Sequence, residues 1–209
     1  MKQAELRDLG RRDYQEVWQL QRELVEERRA GRIADTLLLC EHDEVITVGR
    51  RSGARGNILS PGIPVVEVER GGDVTYHGPG QLVGYPILLL DEDERDLHAY
   101  LRHLEEAHLR LCADLGLAGR REPGWTGVWV GERKLVSLGV AVRRWVTYHG
   151  FALNVATDLS RFFAINPCGL DAAVMTSLSA LLGRPVTLDE VKPRLVSHLG
   201  EVLGRTFAV

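Results

Sequence analysis

Residues 70–90 read RGGDVTYHGPGQLVGYPILLL, and whether a helix or a strand follows the glycines decides the fold. Glycine at this density lets the main chain bend sharply and lets a ligand come close to it. A dinucleotide-binding fingerprint needs a helix opening directly on its glycines, and a P-loop needs a lysine followed by Ser or Thr. Pro79 interrupts the first pattern, and no such lysine completes the second. QLVGYPILLL carries no capping residue and reads as a buried strand. The loop therefore joins two strands. A plain tight connection needs only glycine, yet Arg70, Tyr76, His77 and Gln81 crowd polar groups into it. Main-chain N–H groups in such a loop could face a carbonyl oxygen that gains charge during acyl transfer.

Upstream, ADTLLLC (34–40), EVITV (44–48) and PVVEVE (64–69) are short strand-like runs separated by Gly, Pro and Ser. Before them, Asp13 with Glu16 predicts a helix start, Tyr14, Val17, Leu20, Leu24 and Val25 give one apolar face, and Gly31 ends it. Downstream, Leu97, Leu101, Leu104, His108, Leu111 and Leu115 recur at steps of three and four, so a helix is expected over about 95–115. TGVWV-GE-RKLVSLGVAV reads as a hairpin turning at Gly131, and WVTYHGFALNV as another strand. INPCGL is a loop. A last helix starts with a capping box at Thr187 and Glu190 and carries the stripe Val191, Leu195, Leu199 and Val202. Strands grouped between helices predict an α/β (α+β) fold, a mixed sheet with packed helices, in one domain over residues 1–209.

The 209 residues are 44% hydrophobic and 26% charged, ordinary for a globular enzyme, with no low-complexity segment and no internal repeat. A formal net charge of -3 argues against a nucleic-acid partner. No apolar run is long enough to span a bilayer and the N-terminus has no apolar signal core, so no membrane partner and a cytoplasmic location are expected. Cys40, Cys112 and Cys168 have neither zinc-site spacing nor an even count. His103 and His108, five apart, point to different sides of a helix, so no metal is expected.

Cysteine usually packs as a small hydrophobe, which suffices for Cys40 and Cys112. Cys168 differs, because it sits between Pro167 and Gly169 in a segment without helical or strand periodicity, where a thiol can serve as a nucleophile. Lys134 is one of three lysines, with Lys2 and Lys192, among 26 basic residues. Where arginine is preferred for mere charge, a retained lysine suggests a group that must exchange its proton. Alternation along RKLVSLGVAV puts Lys134 on the face of Val136, Leu138, Val140 and Val142. His77 and His149 both stand in Tyr-His-Gly and could share a site.

Taken in order, RGGDVTYHGPGQ, GVWVGERKLVSLG, YHGFALNV and INPCGL resemble the lipoyl(octanoyl) transferases, over about His42 to Thr176. The resemblance implies the catalytic fold shared with lipoate-protein and biotin-protein ligases, and octanoyl transfer to lysine. It assigns acyl acceptance to Cys168 and catalysis to Lys134. For substrate contact it implies Arg70, Gly71, Gly72, Tyr76, His77, Gly78, Gly80 and Gln81 of the glycine loop, with Ser137, Leu138, Gly139, His149 and Gly150. It implies no cofactor. Its donor is octanoyl-acyl carrier protein, and its acceptors are lipoyl domains of 2-oxoacid dehydrogenase E2 subunits and the glycine cleavage H protein. Arg50, Arg51 and Arg55, or Arg143 and Arg144, could dock such acidic domains, although a solvated arginine face is the commoner explanation of such clusters. An ATP-dependent lipoate ligase on the same fold, or a non-catalytic binder of lipoyl domains, are the alternatives; the first needs no cysteine nucleophile and the second no titratable lysine.

Overall fold

The computed structural model describes residues 1–60 and 62–208, with only the main chain of Cys168. Its elements in chain order are β1 (Lys2–Arg12), α1 (Tyr14–Arg29), β2 (Asp35–His42), β3 (Val45–Val48), β4 (Val65–Glu67), β5 (Val74–His77) and β6 (Gln81–Ile87). Then come α2 (Leu97–Asp114), β7 (Gly119–Glu122), β8 (Trp125–Val130), β9 (Arg133–Arg143), β10 (Val146–Asn154), α3 (Leu178–Leu182), α4 (Leu188–Leu203) and β11 (Arg205–Ala208). Eight strands form one mixed sheet in the order β11-β1-β2-β6-β10-β9-β8-β7, parallel at β11-β1-β2 and antiparallel elsewhere. A second sheet, β4-β3-β5, stands beside it.

The apolar run of β2 shows why the large sheet is covered on both sides. Leu37 and Leu39 pack with Leu82, Phe151 and Leu153 against Leu104 and Leu111 of α2 and Leu195 and Leu199 of α4. Their neighbours Leu38 and Cys40 pack with Val83, Tyr85 and Ala152 against Val17, Leu24 and Val25 of α1. A strand buried on both faces loses its alternation and reads as a continuous run. Each large side chain so enclosed contributes roughly 1.5–3 kcal/mol.

The caps follow the residues expected for them. Asp13 accepts from the N–H groups of Gln15 and Glu16, and Thr187 Oγ1 from that of Glu190 at 3.2 Å. The reciprocal half of the expected box at Thr187 is missing, because the Glu190 carboxylate pairs with Arg184 at 2.6 Å. INPCGL contains a single 3-10 turn at Pro167–Gly169.

Five elements have no counterpart in the sequence reading: β5, which runs through the expected glycine loop, β7, α3, and the neighbouring strands β1 and β11. β1 is largely exposed and polar, and β11 is four residues long. Both are set by tertiary contacts: buried Arg205 donates to Asp35 at 2.9 Å and to Leu203 O at 2.6 Å, and also pairs with Glu94. Arg205 holds the Glu94 carboxyl down to about 2. Among the described residues no helix is long and apolar enough to cross a membrane.

Candidate active site

The loop Arg70–Gly72 is laced into its surroundings by main-chain bonds. Gly71 N–H donates to Val140 O on β9 at 2.9 Å, while Arg50 and Arg51 donate to Arg70 O and Gly72 O at 3.0 Å each. Arg70 is buried, and its guanidinium donates to Thr47 O at 2.8 Å and Thr47 Oγ1 at 2.9 Å. A fixed cation thus lies beneath the loop, between the two sheets.

Farther along, the glycines serve the turn that joins β5 to β6. A Cβ at Gly78 would fall 2.0 Å from Tyr76 Oη, so only glycine fits over that ring. Tyr76 points away into the small core with Phe162 and Ile165, its hydroxyl donating to Glu44 at 3.0 Å. Gly80 N–H donates to Glu41 at 2.7 Å, and Gly80 O accepts from Ala156 N at 2.8 Å. Tyr76, Gly78, Gly80 and Gln81 are therefore supports behind the site.

Gln81 sets the state of His77. Its amide nitrogen donates to Tyr76 O at 3.1 Å and Asn154 Oδ1 at 2.9 Å, so its oxygen is the acceptor for His77 Nδ1–H at 2.8 Å. The other ring nitrogen of His77 is left as an acceptor, 3.4 Å from Thr47 Oγ1. Asn154 Nδ2 donates to Thr176 O at 3.0 Å, and Thr176 N donates to Lys134 O at 3.0 Å. One chain of bonds therefore connects the His77 ring to the main chain of Lys134. Thr47 and Asn154 escaped the sequence reading; the only signal was a polar residue at each of two otherwise apolar strand positions.

His149 adopts φ 54 inside β10, a conformation L residues avoid, and its N–H is held by Gln21 at 2.8 Å. Its Nε2 lies 3.5 Å from Glu69. Burial pushes His149 down to about 4, assisted by the Arg70 cation and opposed by Glu69, and burial pushes His77 down to about 3. Both rings are neutral at pH 7. His108, enclosed on α2 with Nδ1 donating to Leu104 O at 2.7 Å, is lowered to about 4 for the same reason.

This burial sets the sign of the pH dependence of stability. Below the unfolded histidine value of about 6.5 the unfolded chain takes up protons that the native rings refuse, so stability falls with pH, by about 1.4 kcal/mol per pH unit per ring. The loss should begin between pH 6.5 and 5, above the carboxylate range, and end below the folded values of about 3 to 4. Urea midpoints should drop across that window, and His108→Phe should shallow the slope by about one proton; midpoints flat from pH 7 to 5 would contradict neutral burial.

Lys134 is buried. It does not keep the alternation expected along β9: Val128 pairs with Val136 but Trp129 with Lys134, leaving Leu135 as an extra residue. Past this bulge Val136 packs toward α2 and α4, whereas Lys134 shares a cavity with Ser137, Leu138 and Gly139. That cavity, about 550 Å³ including its open mouth, is also lined by Arg70, Gly72, His77, His149 and Gly150. Its apolar wall is Val74, Val83, Tyr85, Leu138, Phe151 and Ala152, and Pro167 stands on it too. An adjoining groove shares Gly72, Lys134, Leu138 and Gly139 with it and adds Gly71, Arg51, Leu97 and Trp125. The Cys168 side chain lies outside the described residues. The other two thiols are buried, Cys112 pushed up to about 11 and Cys40 further, which makes them poor nucleophiles.

Residues 13–200 match the lipoyl protein ligase A/B catalytic domain. A Geobacter metallireducens protein named octanoyltransferase is 56% identical over 187 residues, covering 90% of this chain and 87% of its own length. One of the same name from Rubrobacter xylanophilus is 51% identical over 93% of this chain and 91% of its own length. Among solved structures, a putative lipoate protein ligase from T. acidophilum with bound lipoic acid superposes with a TM-score of 0.77 at 21% identity, over 100% of this chain and 88% of that one. Biotin protein ligase from Aquifex aeolicus, in complex with biotin and ATP, gives 0.61 at 13% identity, over 96% and 70%. At these identities the two superpositions speak for the fold alone.

Proposed function

Since this chain belongs to the lipoyl protein ligase A/B catalytic domain family and is an acyltransferase that moves octanoyl groups in protein lipoylation, we propose that it does so by a ping-pong route through Cys168 and Lys134. The observation that carries this reading is the cavity. It sets a buried lysine, two neutral imidazoles and the proline before Cys168 around one apolar slot. A slot of that lining suits a linear acyl chain, whose burial at about 0.8 kcal/mol per methylene contributes on the order of 5 kcal/mol.

In the first half-reaction the Cys168 thiolate attacks the carbonyl carbon of octanoyl-acyl carrier protein. The new carbon–sulfur bond replaces the old one, and the phosphopantetheine thiolate leaves, taking from Lys134 the proton that Cys168 had given it, so that the amine is left neutral. In the second, the amine of a lipoyl-domain lysine attacks the acyl-enzyme, Lys134 accepts its proton, and the Cys168 thiolate departs as the amide forms. Thioester to amide is downhill, so ATP takes no part. The donor is an acyl carrier protein, and the acceptors are lipoyl domains of 2-oxoacid dehydrogenase E2 subunits and the glycine cleavage H protein, in the cytoplasm. Exposed Arg51 lines the groove and lies 3.7 Å from Asp73, while Arg55 and Arg143 pair with Glu67 and Glu26, so an acidic partner docking here would compete with carboxylates of this chain.

Purified protein should transfer octanoate from carrier protein to a lipoyl domain without ATP; transfer only from free acid with ATP would replace this reading by that of a ligase. Chain-length selection is open to a separate test. Ala152 is buried on the slot wall, so Ala152→Leu should cut kcat/KM about tenfold for octanoyl donors and much less for butanoyl donors. An unchanged length profile would place the chain elsewhere.

A further inference from the structure

Helix α2 reaches the site through one enclosed carboxylate. Glu105 is fully buried. Its Oε2 takes Arg102 at 2.6 Å and Arg121 at 3.0 Å, and both arginines reach solvent. Its Oε1 faces the other way and accepts the Gly127 N–H of β8 at 3.0 Å. A bond from a main-chain N–H to an ionised acceptor is stronger than one between neutral groups. Glu105 lines neither the cavity nor the groove.

Gly127 is where Lys134 lies. A Cβ at that position, with φ +138, would fall 2.9 Å from Lys134 Cε and 3.6 Å from Nζ. Val136 O, nearer still, and the last methylene of the lysine thus together occupy the space that a side chain at 127 would fill. On the next residue but one, the Trp129 ring centroid is 5.9 Å from Nζ. The bulge that turns Lys134 into the cavity is in the same short stretch of β8 and β9. Moving the Gly127 peptide would move the amine.

We propose that Glu105 is a positioning residue for the Lys134 amine: by fixing the Gly127 N–H it holds the main-chain shelf on which the lysine rests, and so sets how close the amine comes to the acyl carbon. The inference rests on the proton-transfer reading of Lys134. Displacement of a reacting group by about 1 Å can lower a rate by up to roughly a hundredfold, with no change in substrate affinity.

Two conservative variants separate this role from that of an ion-pair staple between α2 and the β7–β8 hairpin. Glu105→Asp keeps the charge for the arginines but is a methylene short of Gly127. Glu105→Gln keeps an oxygen in reach of Gly127 and loses the charge. In the full chain, assayed with octanoyl-acyl carrier protein and a lipoyl domain below both melting midpoints, Asp should lower kcat about tenfold at KM values within about twofold. Gln should stay within about threefold of wild type, and the Gly127 amide should exchange slowly in Gln and fast in Asp. A staple predicts the reverse, with Asp near wild type and Gln impaired, and that result overturns the proposal. If Asp does not fold, Gln decides: a rate within threefold with a protected Gly127 amide supports the role, and a tenfold loss with that amide still protected overturns it. Lys134→Arg separates the two layers. If it is inactive while Glu105→Asp is unimpaired, only the positioning role fails; if it is fully active, the reading of the lysine fails first.

Discussion

Incubated with octanoyl-acyl carrier protein and no acceptor, the enzyme should gain the mass of a single octanoyl group, released on adding a lipoyl domain. Cys168→Ser should accumulate no adduct on the timescale of turnover, and kcat should fall by on the order of 10⁴ to 10⁶. The size of the effect follows from the chemistry of the attacking atom. A hydroxyl is not ionised near neutral pH, whereas a free thiol titrates near about 8.5 and needs only modest help to become a thiolate. Neither remaining cysteine can take over, since both are enclosed and their thiols are pushed up by burial. An adduct of undiminished amount in Cys168→Ser, or wild-type turnover with no adduct at any time, would remove the covalent step. Cys168→Ser should also leave the unfolding free energy within about 0.5 kcal/mol of wild type, because the turn Pro167–Gly169 is closed by main-chain bonds from Gly169 N to Asn166 O and from Leu170 N to Pro167 O.

What the sequence disclosed, and what it hid, divides along a physical line. Elements that carry their own signal were readable: the double-sided burial of Leu37 to Cys40, the heptad-like steps of α2, the caps at Asp13 and Thr187. The fold class followed from them, and its likeness to lipoate- and biotin-protein ligases is borne out. β1 and β11 were not readable, because they are held by partners distant in sequence: a largely polar strand paired to β2, and a buried arginine closing on Asp35 and Glu94. Charge alone would have put Arg205 on the surface. The same limit applied at the site. The glycine loop was visible as a cluster of unusual residues, but nothing local distinguished His77 and Arg70, which line the cavity, from Tyr76 and Gln81, which support it. Burial of Lys134 beside Leu138 was foreseen on alternation, yet its place next to Ser137 and away from Val136 was not, since a bulge at Leu135 is invisible until β8 is laid beside β9. Glu105 did leave a trace, a carboxyl four residues after Leu101 beside the apolar stripe of α2, where a solvated side chain has no place.

Lys134→Arg should retain the positive charge and lose most of the activity, with kcat down by about 10² to 10⁴. The argument turns on what a cation must do there. If the site needed only an electrostatic partner for a thiolate, a guanidinium would supply it, and the acyl-enzyme would form at a near-normal rate. The second half-reaction asks for more. A lysine amine attacking a thioester carries an extra proton into the tetrahedral adduct, and some group must accept it before the amide can form. A neutral amine offers a lone pair that can take up a proton, whereas a guanidinium stays charged at every pH a protein tolerates. The neighbouring imidazoles, lowered to about 3 and about 4, are weak bases, so they would serve poorly in its place. Space adds to the effect: Lys134 Cε already fills the gap over Gly127, and a bulkier planar group has no room to settle there without shifting β8. Single-turnover measurements can tell the contributions apart. Acylation by carrier protein should be impaired less than deacylation by a lipoyl domain if proton acceptance dominates, and both should be impaired alike if crowding does. Near-normal rates in both steps would show that this lysine neither accepts the proton nor fits its pocket more closely than arginine.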